Sequence, residues 1–150
     1  MTGLKPSPGI KRFAVILVIY SVFNLLGSSN LSEFKKILQG LPALIIYAVF
    51  IFSIGYAIVS IKCALSIIKL EEWARKLSVI LVLISLVLGV FLTPITFKNL
   101  PAFYDGISKD YSYDIFLKST IFFVAFATAL EMLYVYFFTR EKIKKQFRAE

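Results

Sequence analysis

Apolar residues run along this chain in four long blocks, each bounded by Lys, Arg, Gly or Pro. A helix of about 20 residues crosses the ~30 Å hydrocarbon layer of a bilayer. The blocks therefore predict spanning helices over about 10–29, 42–68, 77–97 and 115–139, followed by a basic cytoplasmic tail over 140–150. The first block, Phe13 to Gly27, follows Lys11 and Arg12 and ends at Gly27-Ser28-Ser29. That is also the outline of a signal peptide with a small-residue cleavage site, and we take it as the first span. Pro42, after Gly40, suits the first turn of the second helix. Arg75 and Lys76 open the third, and Pro94 is expected to kink or end it. The pattern predicts an all-α, integral membrane four-helix bundle, one transmembrane domain over 1–150.

Composition points the same way. With 59% hydrophobic and 16% aromatic residues in 150, and a mean hydropathy of +0.81, too much apolar surface would face water in so small a globule. The net charge of +8 would suggest a nucleic-acid partner in a soluble protein, but here the basic residues flank apolar runs, so no nucleic acid is expected. Of the 17 Lys and Arg residues, twelve lie at the N-terminus (5, 11, 12), between helices two and three (62, 69, 75, 76) and in the tail (140, 142, 144, 145, 148). Only five flank the other two connections. Basic residues are retained on the cytoplasmic side, so both termini are expected there, an N-in/C-in arrangement.

The absence of His and the single Cys63 remove Ser–His and Cys–His catalytic pairs, a disulfide framework and the usual metal ligands. Neither a cofactor nor a metal is expected. The acids Asp105, Asp110 and Asp114 fall on the opposite membrane side from Glu131, with no nucleophile–base pairing in view, so the chain is not expected to be an enzyme.

Two connections carry their own pattern. Asn30, Leu31, Ser32 and Glu33 resemble a capping box, and Leu31, Phe34, Ile37 and Leu38 fall at helical spacing opposite Lys35 and Lys36. This predicts a short interfacial amphipathic helix between helices one and two. The stretch from Lys98 to Tyr113, with Tyr104, Asp105, Asp110 and Tyr111, is expected to be a hydrated loop with an aromatic belt, or else a small lid.

Within the membrane the most informative residue is Glu131. It lies seven residues before the end of the apolar stretch, about 10 Å inside the boundary at ~1.5 Å per residue, too deep for a short acid to snorkel out. An ionisable group at that depth faces the protein interior or a water-filled cavity. It fits three roles: an interhelical hydrogen bond, a partner contact, or a proton or ion carrier. Lys62 sits at comparable depth and is its candidate counter-ion, although it projects opposite to the face that packs, from which it can instead snorkel to the headgroups.

That face is a stripe of small residues, Ser53, Ala57, Ser60 and Ala64, which allows close helix approach. Ser78, Ser85 and Gly89 on helix three, and Ala125 and Ala129 on helix four, are further packing candidates. Asn24 is expected to hydrogen-bond between helices, and Cys63 to be packed rather than palmitoylated. Trp73 is a depth anchor. Lys142, Lys144, Lys145 and Arg148, with Ile143 and Phe147 four apart, are expected to rest an extension of helix four on anionic lipid.

The Trp73-Ala74-Arg75 turn and the final run Tyr136-Phe137-Phe138-Thr139-Arg140-Glu141-Lys142-Ile143-Lys144-Lys145-Gln146-Phe147 resemble small uncharacterised bacterial inner-membrane proteins with four spans. The resemblance implies a location in the bacterial inner membrane and carries no activity. Small multidrug transporters also have four helices, but their membrane acid lies in the first, where this chain has none. The expectation is a non-enzymatic accessory or assembly subunit that packs against membrane protein partners or copies of itself. The alternative is a small oligomeric transporter or channel using Glu131.

Overall fold

The structure, a computed structural model, describes residues 6–27, 30–107 and 112–148. Six helices are present among them: α1 Pro8–Gly27, α2 Leu31–Ile37, α3 Ala43–Ile68, α4 Glu72–Ile107, α5 Tyr113–Thr139 and α6 Glu141–Arg148. Four of them, α1, α3, α4 and α5, are long and apolar enough to cross a membrane. The chain is all-helical over the described residues and has the make-up of a multi-pass membrane protein.

Three expectations are corrected. Helix α4 does not stop near Pro94 but runs through both Pro94 and Pro101 to Ile107. A proline deprives its helix of one hydrogen bond, a loss that continuous packing can outweigh, and here the later turns are held by α2 through Asn99 and by α5 through Phe103 and Tyr104. The expected loop from Lys98 is thus mostly helix, with Tyr104 packed edge-on against Tyr113 at 5.4 Å between ring centroids. Asp110 and Tyr111 lie outside the described residues.

The second correction concerns α2. Asn30 caps it by accepting from the backbone N–H groups of Ser32 and Glu33, as expected, but Glu33 pairs with Lys36 at 2.9 Å instead of reaching back to complete the box. Nor does the helix lie by itself. Asn99 of α4 donates to the carbonyls of Ile37 and Gln39 at 2.9 and 2.8 Å, Leu38 is buried, and Phe34 packs on Phe50. The terminal carbonyls of so short a helix need partners, and α4 supplies them. Gly40, at φ 98, then makes the left-handed turn into α3.

Third, the tail is not an extension of the fourth span. Arg140 is extended, and the chain restarts as α6, which folds back so that Ile143 and Phe147 are buried. The core gathers at this end, around Ile10, Ala14, Ala64, Ala74, Phe138 and Phe147. Phe13 stacks on Phe137 at 4.5 Å and Tyr134 leans on Phe138 at 4.6 Å. Arg75 ties the end together: its guanidinium grips Glu72 at 2.7 and 2.8 Å, donates to the Phe138 carbonyl at 2.9 Å, and lies 5.9 Å from the Phe147 ring. A cation on the last carbonyls of a helix satisfies acceptors that have no partner within the helix.

Candidate functional site

Glu131 sits at the centre of a polar seam between the long helices. Its Oε1 accepts one hydrogen bond from the Tyr20 hydroxyl of α1 at 2.9 Å and another from Ser85 of α4 at 2.8 Å. Toward α6, Tyr134 donates to Ser78 at 2.8 Å. Toward α2, Ser53 donates to the Asn24 carbonyl oxygen at 2.7 Å. The polar tips thus converge from four helices. Each bond joins two helices where lipid offers no competing partner, so the seam sets which faces meet.

Two cavities meet at Glu131. One, of about 20 Å³, is bounded by Tyr20, Tyr56, Glu131 and Tyr134, with room for about one water molecule. The Tyr56 hydroxyl, on a residue only 4% exposed, has no hydrogen-bond partner among the described residues. The other is a cleft of about 450 Å³ between α4 and α5, whose walls include Gly89, Val90, Thr93, Thr128, Glu131 and Met132.

The expected pairing of Lys62 with Glu131 does not form among the described residues: Lys62 stands exposed on the far side of α3, and Glu131 is held by hydroxyls instead. The small-residue stripe of α3 lies inside, with Ala57, Ser60 and Ala64 buried and Ser53 bound to α1. Gly89 is placed differently from the expectation of close packing. A side chain added there would meet nothing within 4 Å, because α5 stands away from it across the cleft. Ala125 and Ala129 are exposed on the outer side of α5, since its inward face is taken by Glu131, Tyr134 and Phe138. Cys63 is buried.

At the boundary, Trp73 is 45% exposed and donates to Glu71 at 2.7 Å. On α6, Lys142, Lys145 and Arg148 are exposed, and Lys144 pairs with Glu141 at 2.8 Å. That neighbouring ammonium holds the Glu141 carboxyl below the usual carboxylate range. Because Ile143 and Phe147 turn inward, α6 offers its basic side outward and keeps its apolar side for the protein.

The seam residues absent from the expected set are Tyr20, Tyr56 and Tyr134. Along the chain they look like ordinary membrane aromatics. A usable signal was present: Tyr20 and Asn24 are four apart, and Ser53, Tyr56 and Ser60 share a helical face, so polar tips line up within apolar runs. No family model, curated protein or solved structure matches the chain.

Proposed function

We propose that this chain is a multi-pass protein of the bacterial inner membrane, a four-helix bundle with both termini in the cytoplasm, serving as a non-enzymatic accessory or assembly subunit for partner membrane helices. The observation that carries this is the outer face of α5. Ala125 and Ala129 stand exposed there, flanked by exposed Phe122 and Phe126, so a small-residue pair of the kind that seats a neighbouring helix meets none within its own chain. The excess of Lys and Arg around the N-terminus, the α3–α4 turn and α6 supports the orientation, with Lys142, Lys145 and Arg148 touching anionic lipid and Trp73 at the interface. In this arrangement α2 lies at the outer surface.

Cysteine placed at Ala129, in a Cys63→Ala background, tests the reading by cross-linking in native membranes. A discrete adduct with one other membrane protein is expected. Absence of any adduct at Ala129 and Ala125 would overturn it.

A second reading is favoured by a specific observation: Glu131 borders both the small cavity beside Tyr56 and the α4–α5 cleft, and so could exchange protons or ions between them. An adduct between two copies of the chain at Ala129 favours this oligomeric transporter. In liposomes, Glu131→Gln should then abolish a proton or ion flux that the parent protein supports. Equal flux from both proteins sinks it.

A further inference from the structure

Helices α4 and α5 touch at both ends, through Arg75 with the Phe138 carbonyl and through Tyr104 with Phe116, and leave between these contacts the open cleft of about 450 Å³. That volume lies within the ~300–1,000 Å³ usual for small-molecule sites. Its walls are mostly apolar, from Val90 and Met132 among others, and Gly89 leaves open a place where any larger residue would project into free space.

The polar side chains of the cleft are Glu131, Thr93 and Thr128, and each of them can accept a hydrogen bond. Glu131 uses Oε1 for Tyr20 and Ser85, while Oε2 accepts no hydrogen bond among the described residues. Thr128 spends its hydroxyl proton on the Val124 carbonyl at 2.9 Å. Pro94 has no N–H to offer the carbonyl of Val90, one turn earlier. No cation of the described residues pairs with Glu131. An apolar cleft whose polar groups accept, with a carboxyl among them, complements a molecule with an apolar body and a positively charged donor. Burying that carboxylate alone is costly, and an ammonium ion delivered with it offsets the cost.

Depth separates the possible sources of such a group. Glu131 lies seven residues before the end of the apolar stretch, about 10 Å inside the boundary at ~1.5 Å per residue, which is below the headgroup amines of phospholipids. We propose that the α4–α5 cleft binds a free lipophilic amine, its apolar body between Val90, Met132 and the space at Gly89 and its ammonium group donating to Glu131. This goes beyond the subunit reading and does not depend on it; for the second reading it supplies a class of substrate.

The test uses the full chain in phosphatidylcholine nanodiscs. The probe is N-(4-fluorobenzyl)decylamine followed by ¹⁹F NMR, with empty nanodiscs for bilayer partition and 4-fluorobenzyl decyl ether as the uncharged probe of matching shape. Saturable one-to-one binding of the amine is expected, weakened at least about thirtyfold by Glu131→Gln, as for loss of one partner of a buried charge pair. The ether should bind the parent protein no better than the amine binds Glu131→Gln. Gly89→Leu should block the cleft. Glutamine keeps an acceptor for Tyr20 and Ser85, so retained helix content and melting temperature show that its effect is on the ligand. Amine binding that does not exceed empty nanodiscs, is unchanged in Glu131→Gln, or is matched by the ether overturns the proposal. So does displacement of the amine by phosphatidylethanolamine in the nanodisc, which would make the site a headgroup site. The Ala129 cross-link can succeed or fail without altering any of these outcomes.

Discussion

The end of the molecule around Phe138 and the middle of the α4–α5 pair around Gly89 are built from the same apolar residue types, yet the first is closed and the second open. At the closed end, aromatic rings from α1, α5 and α6 interlock and Arg75 fastens three segments of chain to one another. In the open middle, the helices carry a glycine and a proline where rings would be needed to fill the gap, Val90 and Met132 line it without closing it, and exposed Phe91 lies outside it. Hydrophobicity alone does not close a membrane protein, because lipid is as good a solvent for Leu or Val as another helix. Shape and a few polar fasteners decide where the helices meet.

Removing the central ring should break this contrast most. Phe138→Ala deletes a fully buried ring from the closed end and should cost about 3–5 kcal/mol in unfolding free energy, measured in detergent by denaturant titration. A loss no larger than that of an exposed residue such as Phe123 would show that this end is not the core. Next comes Arg75→Ala, which removes the fastener but leaves the rings. Loss of its charged hydrogen bonds should cost about 1.5–3 kcal/mol and release α6 to proteolysis between Thr139 and Glu141, read by mass spectrometry.

The polar seam is the boundary between the two regions. Tyr20→Phe and Ser85→Ala each withdraw one donor from Glu131 and should cost about 0.5–1.5 kcal/mol apiece. Because both bonds end on one oxygen, the double variant should differ from the sum of the singles by more than about 0.5 kcal/mol; simple additivity would mean that the two act independently. The smallest effect belongs to the open region. Gly89→Ala adds a methyl group where nothing lies within 4 Å and removes a poor helix former, so it should leave stability unchanged or raise it by up to about 1 kcal/mol. A clear loss of stability would mean that α5 closes on Gly89.

The four long helices were legible because each contains a predominantly apolar run of membrane length, a property of local sequence that no tertiary contact has to supply. The cap at Asn30 was legible for the same reason, since its acceptor lies within three residues of the donors it satisfies. Glu131 stood out because an acid so far inside an apolar run must find partners. Which partners it found was not legible. Tyr20 and Ser85 come from helices 111 and 46 residues away, and a tyrosine shows in sequence only as an amphipathic ring. The continuation of α4 through Pro94 and Pro101, the folding back of α6 and the outward placement of Ala125 and Ala129 were likewise decided by neighbours. Proline, small residues and amphipathic ends each permit more than one outcome, and only the surface they meet selects among them. The sequence by itself determined that these segments are helices suited to lipid and that Glu131 must be accommodated. The tertiary structure decided how, because in a bilayer the choice of contact rests on fit and hydrogen bonds between distant segments rather than on apolar burial.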